Sequence, residues 1–310
     1  MEKLSVGLEW FKNPDHLPLM IGIEKGWFAE ENLEVELIEP ERHFDAIQEI
    51  KAGRMDTAIT EPIHLVEDRA NGDPVIGYAR FLHTNGGVMY LKGKGIERPK
   101  DLIGKRIQYP GAPGLGGLAI VKTMVECDGG TCTYDDFIPV NNSFYHTDAL
   151  KENKADAATL IFRNFELIEA KHKGLDVDFF ALKDWGVPDF CQLIFITTPE
   201  MLNERKALFR SFLKVIRKAI DYIYALPGEA KQIYLSFTQS DPNDRLLLDI
   251  LDATLPCFTY DFTMTADYYD HLQKWLKYTG KIKETIDPEL YWTNDLIYNF
   301  PWSSPVGEQS

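Results

Sequence analysis

The sequence is poor in cysteine, in long apolar runs and in basic charge, and each shortage narrows what the chain can be. Four cysteines in 310 residues, Cys127, Cys132, Cys191 and Cys257, are too few to staple a fold of this length. Cys127 and Cys132 flank a Gly-Gly-Thr turn, a spacing open to a local disulfide or half a metal site; the expectation is free thiols in a reducing compartment, with no metal. No run approaches the roughly 20 apolar residues of a membrane helix, so no membrane span is expected. Thirty-three Lys and Arg against 48 Asp and Glu leave a net charge of -15, and a chain without a basic patch is not expected to bind nucleic acid. No signal-peptide core follows Met1. The expected location is therefore cytoplasmic, or periplasmic or extracellular only if a leader has been trimmed. Catalytic signatures are lacking too: there is no G-x-S-x-G, no H-E-x-x-H, and Gly104-Lys105 runs into Arg106 rather than completing a P-loop. No catalytic residue is assigned.

What is present is alternation. Leu4 to Leu8 and Leu33 to Leu37 read with period two, as strands do. Leu19, Met20, Ile23 and Trp27, then Phe44, Ile47 and Ile50, carry helical spacing, with Gly53 placed to stop the second helix. Met55 to Thr60 reads as a buried strand and a helix is expected from Pro62. Strands alternating with helices predict an α/β fold. A second unit of the same kind follows about a hundred residues later. There Asp148-Ala149-Leu150 to Asp156-Ala157-Ala158 echoes Asp45-Ala46-Ile47 to Asp56-Thr57-Ala58. Beyond Thr198 the pattern is helical. Leu208, Phe212, Val215, Ile216, Ala219, Ile220 and Ile223 share a face, Asp241-Pro242 and Thr265 are expected caps, and Gly280 a stop. Ser303 to Ser310 reads as a loose tail.

At roughly 150 residues per domain the length suggests two lobes. With no linker between them, the chain is expected to cross through strands near 87–91 and 192–196. Lobe 1 is then 1–88 with 196–310, and lobe 2 is the insertion 89–195, each a mixed, mostly parallel sheet flanked by helices.

In open α/β sheets ligands collect at the carboxyl ends of strands. Trp10, Phe11 and His16 follow the first strand, where an aromatic can stack on a planar ligand. Thr60, Glu61 and His64 follow the third; Glu61 can accept from amino groups and His64 can donate or accept. The turn holding Gly111, Gly114 and Gly116 lies between a strand and a helix, where free amides suit an anionic group or make a purely structural turn. Asn141 and Arg163 follow strands of the middle unit, Arg163 as a partner for carboxylate or phosphate. Trp185, Asp189 and Cys191 precede the second crossing, at a cleft mouth.

The segments Leu8-Glu9-Trp10, Pro14-x-His16, Pro18 and Lys25-Gly26-Trp27-Phe28 resemble the opening of the thiamine-pyrimidine synthases and their solute-binding relatives. Those relatives include importer receptors for formyl-aminopyrimidine and alkanesulfonates. The likeness continues through Gly53-Arg54-Met55-Asp56, Ile63-His64, Tyr90-Leu91-Lys92-Gly93 and Asp101-Leu102-Ile103-Gly104-Lys105 to the helix from Phe209 to Ala225. It implies the two-lobed periplasmic-binding-protein fold of type II, closing on a ligand between lobes. It also implies differences. The synthases carry a Schiff-base lysine where Thr60 stands here, and a cysteine cluster of which the stretch from Trp185 to Gln192 keeps only Cys191. The resemblance thus points to a fungal branch of the superfamily that binds without a cofactor. The ligand expected is small: pyrimidine-like, a sulfonate or a carboxylate. An enzyme on the same scaffold, a pyrimidine synthase or small-acid lyase using Glu61 and His64, is the alternative.

Overall fold

The computed structural model describes residues 1–40 and 46–297. Two five-stranded sheets form the frame. The first contains β1 (Glu2–Gly7), β2 (Leu33–Ile38), β3 (Thr57–Thr60), β4 (Ile76–His83) and β10 (Gln192–Thr197) in the order β2-β1-β3-β10-β4. The second contains β5 (Gly86–Leu91), β6 (Arg106–Gln108), β7 (Ile138–Val140), β8 (Ala157–Phe162) and β9 (Val177–Ala181) in the order β7-β6-β8-β5-β9. Both sheets are mixed, with two parallel joints followed by two antiparallel ones. In each, the fourth strand is the one that has just arrived from the other sheet.

The helices fill in around these sheets. The first sheet is served by α1 (Leu17–Glu24), α2 (Trp27–Glu30), α3 (Ala46–Lys51) and α4 (Pro62–Ala70), the second by α5 (Leu115–Cys127), α6 (His146–Lys151) and α7 (Glu166–His172). After β10 come α8 (Pro199–Glu204), α9 (Lys206–Ala225), α10 (Pro227–Thr238), α11 (Arg245–Thr254) and α12 (Ala266–Tyr278). Helix α9 buries the expected stripe, with Phe209 and Leu213 added, against the first sheet. Thr265 caps α12 and Gly280 follows it at φ +81°. The cap of α11 is Asp244, not Asp241-Pro242. Asp241 instead accepts from the Asn243 amide and closes a turn ahead of the helix. Phe44 and the expected tail Ser303 to Ser310 lie outside the described residues.

The echo seen in the sequence is a repeated anchor. Asp56, leading into β3, accepts from the Ser5 amide of β1 at 2.7 Å and pairs with Arg205. Asp156, leading into β8, accepts from the Arg106 amide of β6 at 3.0 Å and pairs with the Arg106 guanidinium. In both places a carboxylate pins the incoming parallel strand to its neighbour.

The crossings differ from the expectation. β5 is paired on both sides within the second sheet and β10 on both sides within the first, because a buried strand must satisfy every amide and carbonyl. The chain therefore passes between sheets at Thr84-Asn85 and through the segment ending at Asp189-Phe190-Cys191. The two passages touch: the Thr84 amide donates to the Cys191 carbonyl at 2.9 Å.

One apolar core spans both sheets at the back of the molecule. Helix α12 provides the bridge. Trp275 stacks on Phe190 and its indole N–H donates to Thr123 of α5 at 3.0 Å. Tyr278 donates to Glu126, and Tyr134 donates to the Thr279 carbonyl.

Candidate functional site

At the front, the strand ends of the two sheets face each other. The chain leaving β1 turns at Asn13, whose side chain accepts from the Asp15 amide at 2.8 Å and opens a 3-10 turn over Pro14–His16. The Asn13 amide donates to His16 Nδ1 at 3.2 Å, so Nε2 carries the hydrogen directed at Glu9, 2.9 Å away. This buried lattice fixes the loop that carries Trp10. The half-buried indole meets Phe11 with ring centroids 4.1 Å apart. Across the divide it meets Phe165, just before α7, at 5.3 Å, and Phe144, after β7, at 6.0 Å. Trp10 is thus where an aromatic wall of the first lobe touches one of the second.

Four carboxyl groups, those of Glu9, Asp15, Glu61 and Glu166, lie near enough to one another for their charges to interact, two of them next in the chain to Trp10 and Phe165. Glu61, at the end of β3, is half-buried, and its carboxyl takes no hydrogen bond from a described residue. Burial pushes its carboxyl up to about 8, with the charges of Glu9 and Glu166 adding to the shift. Glu166 opens α7 and accepts from the Phe162 amide at 2.8 Å; burial pushes it up to about 8 as well. Asp15 is pushed up to about 7, by burial first and then by Glu9. A carboxyl that keeps its proton near neutrality offers a donor and an acceptor side by side.

The other expected residues take several places. Thr60 and His64 are linked, hydroxyl to Nδ1, at 3.2 Å, and the imidazole is exposed. Cys191 is buried with its sulfur against Gly86, and burial with Glu61 and Asp189 nearby raises its thiol. Asp189 pairs with His83 at 2.9 Å. Arg163 is exposed beside the aromatic wall, its amide bound to the Asn85 carbonyl. The turn at Gly111 to Gly116 is tied to the end of β7 by Asn141, whose amide donates to the Ala112 carbonyl at 3.1 Å. Gly111 has φ +76°, and a side chain at Gly116 would meet open space. The ring of Trp185 lies edge-on to Phe180 of the edge strand β9, and Leu182 and Val187 on either side of it in the chain are buried in the core.

Sequence reasoning overlooked Glu9, Asp15, Phe144, Asn164, Phe165 and Glu166. Three of them directly follow β8, and the strand-end rule that found Trp10 would have found them had it been applied past Arg163. Asp15 sits inside the loop from Trp10 to His16 that was singled out, and Glu9 directly precedes it. All four cysteines are free thiols, and no group of three His, Cys, Asp or Glu among the described residues is arranged to hold a metal.

Two lobes, each a mixed five-stranded sheet flanked by helices, give the chain the fold of the periplasmic binding proteins. Its shape matches the periplasmic aliphatic sulphonate binding protein SsuA from Escherichia coli with TM-score 0.74 over 94% of this chain and 92% of that one, at 12% identity. By sequence, the chain belongs to the NMT1/THI5 like family, which matches residues 13–230. It is 29% identical to the formylaminopyrimidine-binding protein of Halalkalibacterium halodurans, covering 82% of this chain and 76% of that one. It is 30% identical to a 4-amino-5-hydroxymethyl-2-methylpyrimidine phosphate synthase of Saccharomyces cerevisiae, covering 98% of this chain and 89% of that one.

Proposed function

We propose that this protein binds a small planar heteroaromatic bearing an amino group, an aminopyrimidine of the thiamine-precursor kind, between its two lobes. The observation that carries the reading is the carboxyl of Glu61, which feels the charges of Glu9 and Glu166, the chain neighbours of Trp10 and Phe165, and takes no hydrogen bond from a described residue. Stacked on Trp10, an aminopyrimidine presents a ring nitrogen and an exocyclic N–H along one edge. A protonated carboxyl answers both, donating to the first and accepting from the second. Glu9, Asp15 and Glu166 offer no positive charge to pair with a buried anion, which favours an uncharged guest over a sulfonate or carboxylate. Phe144 and Phe165 supply the opposite wall, and closure excludes water so that each polar contact gains strength. Thr60 has no amine with which to form an imine, so the reading is binding without turnover. No described helix is long and apolar enough to cross a membrane. Four free thiols support a reducing compartment, and the cytoplasm is proposed as the site of action.

Calorimetry tests the assignment. The probes are 4-amino-5-hydroxymethyl-2-methylpyrimidine, its phosphate, and ethanesulfonate. The expected result is saturable heat with the uncharged pyrimidine, weaker binding of the phosphate, and none with the sulfonate. Trp10→Ala should weaken the pyrimidine by roughly 30-fold or more, the size of a buried aromatic hot spot. Preferred binding of the sulfonate, or an unchanged affinity in Trp10→Ala, overturns it.

A further inference from the structure

Between the aromatic wall and the crossings lies a side chain with no partner in its own lobe. Asn164 belongs to the second lobe, in the loop between β8 and α7, and is 3% exposed. Its amide nitrogen donates to Asp15 Oδ1 at 3.2 Å and to Thr254 Oγ1, in the last turn of α11, at 2.9 Å. Its carbonyl oxygen accepts from Thr84 Oγ1, on the first crossing, at 2.7 Å. Every one of these contacts reaches outside the second lobe. Burying a primary amide is costly unless it is bonded, so this position is satisfied only while the lobes are shut. When they part, Asn164, Asp15 and Thr254 must all be rehydrated together.

We infer that Asn164 is the latch of the cleft, a positioning residue that holds the second lobe's wall against the first. Its chain neighbour Phe165 is the ring that meets Trp10 from across the divide, so the amide that grips Asp15 also sets where that ring stands. Because Thr84 lies on a crossing, the same amide ties the front contact to the pivot. The inference rests on the proposed enclosure of a guest between the lobes, but not on the guest's identity.

The test reverses the polarity of the contact. Asn164→Asp places a second carboxyl against Asp15. The titratable groups facing Asp15 are Glu9 and His16, Glu166 from α7, Tyr234 from α10 and Cys257 beyond α11. None of them supplies a donor aimed at the new pair. At pH 5 the two carboxyls share a proton and the lobes stay shut; at pH 8 both ionise and repel. Small-angle scattering of the ligand-free protein should therefore show the wild-type radius of gyration at pH 5 and a larger one at pH 8. Combining Asp15→Asn with Asn164→Asp exchanges the two groups, so that the amide now sits on the first lobe and donates to a carboxylate on the second. The hydroxyls of Thr84 and Thr254 can donate to that carboxylate as well. This double variant should be compact at both pH values. Asn164→Ala should release the pyrimidine probe about tenfold faster in stopped-flow tryptophan fluorescence, the effect of losing one or two hydrogen bonds.

The latch is overturned if Asn164→Asp keeps the wild-type radius at pH 8, or if the swapped pair stays expanded there. The scattering arm needs no ligand. A failure to bind pyrimidine would count against the proposed function and leave the latch standing.

Discussion

The two lobes meet along two seams of opposite character. The rear seam, where α12 lies on α5, is a continuation of the core: Trp275, Phe190, Tyr269, Val121 and Met124 belong to one buried cluster. Its polar atoms are paired without any net charge left over, as in the Trp275 to Thr123 bond. The front seam holds Trp10, Phe144 and Phe165 together with carboxyls that burial keeps protonated. Apolar surface at this density does not part readily, since separating it returns every buried ring to water. A seam of side chains that water can solvate costs much less to open. The contrast suits a rear that holds the lobes together and the proposed entry of a guest at the front.

The largest expected effect lies at the rear. Trp275→Ala should cost about 3–5 kcal/mol of stability, the usual penalty for emptying a buried aromatic site. Urea unfolding reads this directly. A loss below about 1 kcal/mol, well short of that penalty, would mean that the rear seam is no more core-like than the front, and the contrast fails.

Next comes the pH dependence of the front. Glu61 and Glu166 keep their protons in the folded protein up to about 8 and Asp15 up to about 7, whereas unfolded carboxyls release theirs near about 4. The native state thus binds more protons across this window, so stability is full below the unfolded values and is lost as pH rises through the folded ones. The melting temperature of the ligand-free protein should fall between pH 5 and pH 8. Glu61→Gln should raise the pH 8 value by a few degrees and leave the pH 5 value unchanged. A flat profile in the wild type would show the carboxyls to be well solvated.

The smallest effect is expected where the front seam reaches the surface. His172 of α7 and Asp249 of α11 pair at 2.8 Å, both partly exposed. Asp249→Asn should change stability by no more than about 0.5 kcal/mol, as exposed pairs do. A larger loss would extend the latch outward from Asn164.

Much of this arrangement was legible in the residues. Alternating periods and the Asp56 and Asp156 echo foretold two like lobes, because a carboxylate ahead of a small-residue strand has one use in both, pinning that strand to its neighbour. Trp10, Glu61 and His16 were singled out through the rule that strand ends gather ligands, and the structure sets them among the residues proposed to receive the guest. The placement of the crossings was not legible, since an apolar strand reads the same whether it bridges two sheets or sits inside one. The contact between Trp185 and Phe180 was not legible for a similar reason: nearness in sequence to a crossing says nothing of which way an indole turns. The interlobe partners of Asn164 come from positions 15, 84 and 254, and no local pattern records an encounter among segments so far apart.

The hydrogen bond from the Thr84 amide to the Cys191 carbonyl has a mechanical consequence. Two connections stitched side by side are expected to act as a single pin, about which the halves would swing rather than shear or twist independently. Every distance across the mouth should then follow from one angle. A single pair of spectroscopic labels, placed anywhere on opposite rims, should report the whole excursion.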